Sequence, residues 1–193
     1  MRDCDLLIES GTVMTDCRTL RAGMDVAVKD GKILAVTPHG EEEWKAGEVI
    51  SGKDLAVMPG LMDSHMHTGQ QLLKGLVLDA KPIIWTRVML PFESTLTPEK
   101  MRLSASLAAL EMIRSGTTGF VESGGYFMDE AAAVYRESGL RGRLSWSTMD
   151  EEGLPASIAM DAEEAIRLSD RLYGDWDGQG NLKVYYSLRA LNS

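Results

Sequence analysis

The sequence contains little cysteine and little histidine. Among its 193 residues there are two cysteines, Cys4 and Cys17, and three histidines. The cysteines show no CxxC spacing and have no histidine close by in the sequence, which argues against a disulfide framework and against a cysteine-based metal site. We interpret them as the reduced thiols of a cytoplasmic protein.

Long apolar runs and an excess of positive charge are also absent. No apolar stretch approaches the roughly 20 residues that a membrane-spanning helix needs, and residues 1–10 lack the apolar core of a secretory signal. The net charge is −9 with 29 acidic residues, so nucleic acids and anionic membranes would repel the chain. The sequence therefore predicts neither as a partner, and its length suggests one domain or slightly more.

The most informative segment that is present reads VMPGLMDSHMH, at residues 57–67. A short apolar run ends in His65 and His67, two residues apart. Side chains alternate across a strand, so the two imidazoles are expected on one face, with Met66 on the other. Two imidazoles at a strand end provide part of a zinc-type ligand set.

Further strings follow this segment in order along the chain. They are QLLKGL at 71–76, Trp85, LPFE at 90–93, LTPE at 96–99 and ALEMIRSGTTGFVE at 109–122. Together with the HxH segment they resemble the aminohydrolase branch of the amidohydrolase superfamily. This branch deaminates methylthioadenosine, S-adenosylhomocysteine and guanine, and it also contains the triazine chlorohydrolases.

The resemblance covers nearly the whole chain and implies an α/β fold. It implies the N-terminal half of a metal-dependent (β/α)8 barrel over residues 58–193, preceded by part of a small β-sandwich domain over residues 1–57. Local patterns agree, because strand-like segments alternate with helical ones after residue 60, as parallel pairing through crossover helices requires. The predicted strands are 5–8, 25–29 and 32–37 in the first part and 61–65, 117–122, 143–149 and 182–187 in the barrel part.

Helix signals are clear at three places. Thr97 is an expected N-cap before Pro98, and the helix should end at Gly116 with Leu103, Leu107, Leu110 and Ile113 as its apolar face. A short helix is expected over residues 129–137. Asp161, with Glu164 three residues later, predicts another helix start.

The resemblance implies that His65 and His67 bind one divalent metal, with zinc favoured and iron as the alternative. Its remaining ligands and its proton-shuttling glutamate would lie beyond Ser193. We therefore expect this chain to be inactive alone, with homo-oligomer formation open for a full-length form. Glu122 falls at the catalytic rim of a barrel by position, but the sequence gives it no role.

Four residues match substrate-binding positions of the family: Gln70, Trp85, Glu93 and Arg189. Gln70, Trp85 and Arg189 favour an oxopurine, and an arginine can donate a fork of hydrogen bonds to a carbonyl. Glu93 instead resembles a residue that accepts ribose hydroxyl groups in adenosine-type deaminases. A solvated amide, a core indole and a surface ion pair are the structural alternatives for Gln70, Trp85 and Glu93.

The sequence thus predicts a hydrolytic deaminase of an amino-substituted purine or related heterocycle, which would be its small-molecule partner. A chlorohydrolase, or another amidohydrolase acting on a heteroaromatic ring, is the alternative with the same chemistry. A truncated, non-catalytic remnant is the alternative of another class.

Overall fold

The sequence pattern changes near residue 60, from strands joined by turns to strands that alternate with helices. In the computed structural model, which describes residues 1–78, 83–150 and 153–188, Met1–Pro59 forms one unit and Gly60–Ser193 forms another. None of the helices in these ranges is long and apolar enough to span a membrane.

The first unit is built on a five-stranded sheet in the order β3-β2-β1-β4, with β5 also paired to β1. The central strand β1 runs antiparallel to β2 and parallel to β4. The strands are β1 (Arg2–Asp16), β2 (Thr19–Lys29), β3 (Lys32–Pro38), β4 (Trp44–Ser51) and β5 (Ala56–Val57).

The β2–β3 hairpin forms where the Asp30-Gly31 pair predicts it. Both residues have positive φ, 51° and 70°, as the tightest hairpin turns require. β1 is much longer than the predicted residues 5–8, and β4 was not predicted. Because β1 pairs on both edges, with a register irregularity between Ile8 and Gly11, its strand continues through residues of low local strand propensity.

The second unit contains four parallel strands in the order β6-β7-β8-β9, connected through helices. This arrangement confirms the predicted α/β class. Between β6 and the first long helix, the chain forms a 3₁₀ helix (Thr68–Leu73), a π-helical turn (Trp85–Met89) and the short α1 (Leu90–Glu93). The remaining elements are β6 (Leu61–Met66), α2 (Pro98–Ser115), β7 (Thr117–Glu122), α3 (Met128–Ser138), β8 (Arg141–Leu144), α4 (Ala162–Trp176) and β9 (Leu182–Val184).

The predicted helix ends agree with the structure. The Thr97 side chain accepts a hydrogen bond from the Lys100 N–H at 3.3 Å, and Gly116 ends α2 with φ 77°. The Asp161 side chain accepts from the Glu164 N–H at 2.8 Å at the start of α4. These caps satisfy backbone groups that have no partner inside the helix.

The predicted apolar face of α2 is wrong. Leu103, Leu110 and Ile113 are exposed. The buried face instead consists of small and flexible residues packed in the main core: Met101, Ser104, Ala105, Ala108, Ala109 and Met112. Small side chains let α2 approach α3 and the sheet closely, whereas a leucine row would hold the helix further away.

Two barrel strands are shorter than predicted. β8 ends at Leu144 and β9 at Val184, against predicted ends at 149 and 187. Among the residues that the structure describes beyond Leu144, the ladder continues as one bridge between Gly125 and Trp146, and the Thr148 hydroxyl donates to the Ser187 carbonyl at 2.6 Å. Side-chain hydrogen bonds replace strand pairing at this end of the sheet.

Candidate metal and substrate site

His65 lies at the C-terminal end of β6, which ends at Met66, and His67 is the next residue along the chain. Met66, between them, is buried in an apolar cluster with residues of α2, α3 and β7. The side chains of His65 and His67 therefore point to the opposite side of the strand. The His65 and His67 ring centroids are 5.1 Å apart, with the ring planes at 81°. The alternation of β6 therefore brings both imidazoles to one place.

A cavity of about 320 Å³ opens beside these rings. Its wall combines the end of β6, the 3₁₀ helix and the π-helical turn. The lining residues are His65, Met66, His67, Gln70, Gln71, Leu73, Lys74, Val77 and Met89. Two imidazoles, two amides, one lysine and apolar side chains line it, and such a wall suits a flat, polar heterocycle.

Gln70 and Glu93 lie together at this site. The Gln70 Nε2 donates to the Glu93 Oε1 at 2.6 Å, and Glu93 is buried. Gln70 lines the cavity, and its side-chain amide is held by the hydrogen bond to Glu93. The surface ion pair considered for Glu93 does not fit a carboxylate that is only 4% exposed.

Among the described residues, the cavity wall does not include Trp85. Its partly buried indole packs against an apolar cluster formed by Leu90, Tyr126, Met149 and Ile158. Arg189 lies outside the described residues. Of the two oxopurine signals that the structure describes, Gln70 lines the cavity beside the histidines.

Two consecutive residues at the end of β7 face the Nδ1 atoms of the histidines. The Ser123 Oγ is 3.0 Å from the His65 Nδ1, and the Glu122 Oε1 is 3.9 Å from the His67 Nδ1. This placement follows from the parallel register, in which Met66 of β6 pairs with Glu122 of β7.

Glu122 is fully buried and belongs to a hydrogen-bonded network. Its Oε2 accepts from the Thr68 N–H at 2.7 Å and also from the Thr68 hydroxyl. The Tyr135 hydroxyl is 2.8 Å from the same Thr68 Oγ1. Burial raises the pKa of Tyr135 above its ordinary value, and the nearby Glu122 charge acts in the same direction, so Tyr135 stays neutral.

The sequence did not predict that Glu122, Ser123, Thr68 and Tyr135 lie beside the histidines or bond to one another. One signal was available: Glu122 ends an apolar strand next to the strand that carries the histidines. A carboxylate at that position faces the catalytic end of a barrel. Thr68 and Tyr135 gave no signal, because their meeting depends on how α3 packs.

The two histidines fit part of a metal site. Ser123 and Glu122 lie beside their Nδ1 atoms, an arrangement that fits sites in which a second residue orients each metal-binding imidazole. Within residues 1–78, 83–150 and 153–188 there is no group of three or more histidine, cysteine, aspartate or glutamate side chains placed to hold a metal ion.

Comparison with known proteins identifies the class. The sequence profile of the amidohydrolase family matches residues 56–179. Since this match spans more than half of the chain, the chain belongs to the amidohydrolase family, and its second unit is part of a (β/α)8 barrel.

Similar proteins include several adenosine-type deaminases. The 5'-deoxyadenosine deaminase of Methanosarcina mazei is 33% identical over 98% of this chain and 43% of its own length. The 5-methylthioadenosine/S-adenosylhomocysteine deaminase of Thermococcus onnurineus is 35% identical over 88% of this chain and 39% of its own. An adenosine deaminase from Xanthomonas campestris, solved with bound zinc, superposes with a TM-score of 0.86 at 30% identity, covering 96% of this chain and 43% of that one. The chain thus spans less than half the length of these relatives.

Proposed function

We propose that this chain is part of a metal-dependent hydrolase that deaminates an amino-substituted purine or a related heterocycle. The reaction replaces the exocyclic amine by oxygen from water and releases ammonia. The observation that carries the proposal is the pair of imidazoles at the end of β6, 5.1 Å apart, on a cavity that Gln70 also lines.

His65 and His67 would hold one divalent metal through their Nε2 atoms. Zinc is favoured over iron because the Xanthomonas relative contains zinc. A bound zinc ion lowers the pKa of its water to about 7 and so supplies hydroxide at neutral pH. Two imidazoles do not complete a catalytic site, so the chain alone is expected to show no turnover.

Gln70 would contact the heterocycle, with Glu93 fixing its orientation. Because Glu93 accepts one amide N–H of Gln70, the second N–H and the oxygen of this amide would serve to contact the heterocycle. We favour an adenosine-type substrate over an oxopurine, since the Methanosarcina mazei and Thermococcus onnurineus relatives are deaminases of adenosine derivatives.

The metal part of the proposal is tested by titrating the 193-residue chain with Co²⁺ and following its visible absorption. We expect weak binding that His65→Ala and His67→Ala each reduce at least tenfold. His39→Ala, in the first unit, is the matched control and should leave binding unchanged. Equal binding by all four proteins would refute the assignment of the ligands.

The catalytic part is tested with a chimaera in which this chain replaces the matching part of the Methanosarcina mazei enzyme. Ammonia release from 5'-deoxyadenosine, S-adenosylhomocysteine and guanine is measured after zinc loading. We expect turnover of the adenosine derivatives, and its loss in His67→Ala. A zinc-loaded chimaera that deaminates none of them would refute the function, and a preference for guanine would refute the substrate class.

A further inference from the structure

The end of β7 presents two polar side chains to the two histidines of β6. Ser123 reaches the His65 Nδ1 at 3.0 Å, and the Glu122 Oε1 lies 3.9 Å from the His67 Nδ1. The two residues of this dipeptide thus face the Nδ1 atoms of the two rings, one each. We propose that Glu122 and Ser123 are positioning residues, which hold the imidazoles as Nδ1–H tautomers with both Nε2 atoms directed to one ligand.

The chemistry of the buried carboxylate supports this role for Glu122. A carboxylate removed from water requires hydrogen bonds or a nearby positive group. Its Oε2 is occupied by the N–H and hydroxyl of Thr68, whereas its Oε1 is the atom that faces His67. A negative oxygen on that side favours a proton on the Nδ1 of His67, because attraction to an N–H replaces repulsion between lone pairs.

Hydrogen bonds from neighbouring segments fix the backbone of Glu122 and Ser123. The Glu122 carbonyl accepts from the Ser145 hydroxyl at 3.1 Å and from the Tyr185 hydroxyl at 2.7 Å. The Ser123 N–H donates to the Met66 carbonyl at 3.0 Å. These bonds connect the dipeptide to the histidine-bearing segment and to the residues after β8 and β9.

Thr68 also connects Glu122 to the backbone next to His67. It directly follows His67, and its N–H is bonded to Glu122 at 2.7 Å. Glu122 therefore holds the peptide that follows His67 through one carboxylate oxygen, and its other oxygen lies beside the Nδ1 atom of the His67 ring.

The inference rests on the proposed function only for the identity of the ligand, so its first test uses no metal. The chain has three histidines, so long-range ¹H–¹⁵N spectra of the imidazoles are simple to assign. At about pH 8, above the ordinary histidine pKa near 6.5, we expect His65 and His67 as Nδ1–H tautomers. Glu122→Gln should move His67 toward the Nε2–H form, and Ser123→Ala should do so for His65.

A buried carboxylate elsewhere in the chain provides the matched control. Asp25 is 4% exposed, and its Oδ1 lies 2.8 Å from the His39 Nδ1. Asp25→Asn should change the His39 signals and leave His65 and His67 as they are. If the His67 spectrum is the same in Glu122→Gln as in the unmodified chain, Glu122 has only a structural role and the proposal fails for it.

Metal affinity is the second readout. Loss of an orienting partner typically weakens binding 10- to 100-fold, so we expect Glu122→Gln to raise the Kd for Co²⁺ by at least tenfold. If Glu122→Gln does not fold, Ser123→Ala, at a partly exposed position, still tests the dipeptide. Tautomers that respond as expected in a chain that binds no Co²⁺ would leave the positioning role intact and refute metal binding by His65 and His67 in this chain instead.

Discussion

A few fully buried polar residues determine the stability of the region around the site. Thr68, Glu122 and Tyr135 are fully buried and share one network. A buried polar group that loses its partner costs about 1–3 kcal/mol, more than the hydrogen bond itself contributes in net terms. The network is therefore sensitive to the removal of one partner.

The first prediction concerns alkaline pH. The raised pKa of Tyr135 means that the folded chain keeps a proton which the unfolded chain loses above about pH 10. Its contribution to stability is complete below that pH and is lost as the pH rises further, by about 1.4 kcal/mol per unit. Tyr135→Phe should remove this slope from urea unfolding measured between about pH 9 and 11.

Tyr173→Phe, at a half-exposed tyrosine, is the control and should keep the slope of the unmodified chain. An unchanged slope in Tyr135→Phe would show that the tyrosine ionises without unfolding.

The sequence predicted the histidine pair better than its surroundings. His65 and His67 could be placed because strand alternation is a local rule. The Gln70–Glu93 contact at 2.6 Å joins residues 23 positions apart, and the Thr68–Tyr135 contact joins residues 67 positions apart. Such pairs depend on the packing of whole elements, which local patterns do not encode.

At the scale of elements, α2 shows how a helix with two apolar faces misleads prediction. The leucine row and the alanine and methionine row both recur at helical spacing. The leucines were predicted to be buried because their side chains are larger and more apolar. Close packing of α2 against α3 instead requires small side chains on the buried face. The caps were predictable because the chemistry of Thr97 and Gly116 acts within one helical turn.

A second prediction tests this packing. Ala105 is completely buried on α2, so Ala105→Leu should lower the free energy of unfolding by about 1–3 kcal/mol through overpacking. Ser106→Leu, one residue along and exposed, adds a similar side chain without a clash and should change stability by less than about 0.5 kcal/mol. Urea titrations of both variants measure the difference, and equal midpoints would contradict the observed face.

At the scale of the whole molecule, apolar surface is prominent. In the second unit, β6 exposes Leu61 and Met62, and α2 exposes Leu103, Leu110 and Ile113. Exposed apolar side chains of this kind promote association where they lie side by side. The net charge of −9 opposes association, and this repulsion weakens as salt is added.

We therefore predict that the 193-residue chain self-associates at micromolar concentration, more strongly at high salt. The variant Leu103→Lys/Leu110→Glu/Ile113→Lys should reduce the mass measured by sedimentation velocity while keeping the circular dichroism of the helices. Ser106→Glu is the control for added charge on the same helix. A monomer at every concentration and salt level would contradict the prediction.

The long span of the Thr68–Glu122 hydrogen bond has a kinetic consequence. It joins residues 54 positions apart, so the site forms only after that loop has closed, whereas the turns of α2 form from neighbouring residues. In pulsed hydrogen exchange during refolding, the Met101 amide, bonded to Thr97 at 2.9 Å, should become protected before the Thr68 amide. Ligand capture would then be among the last events of folding, and a chain released early from a chaperone would carry its helices before it had a binding site.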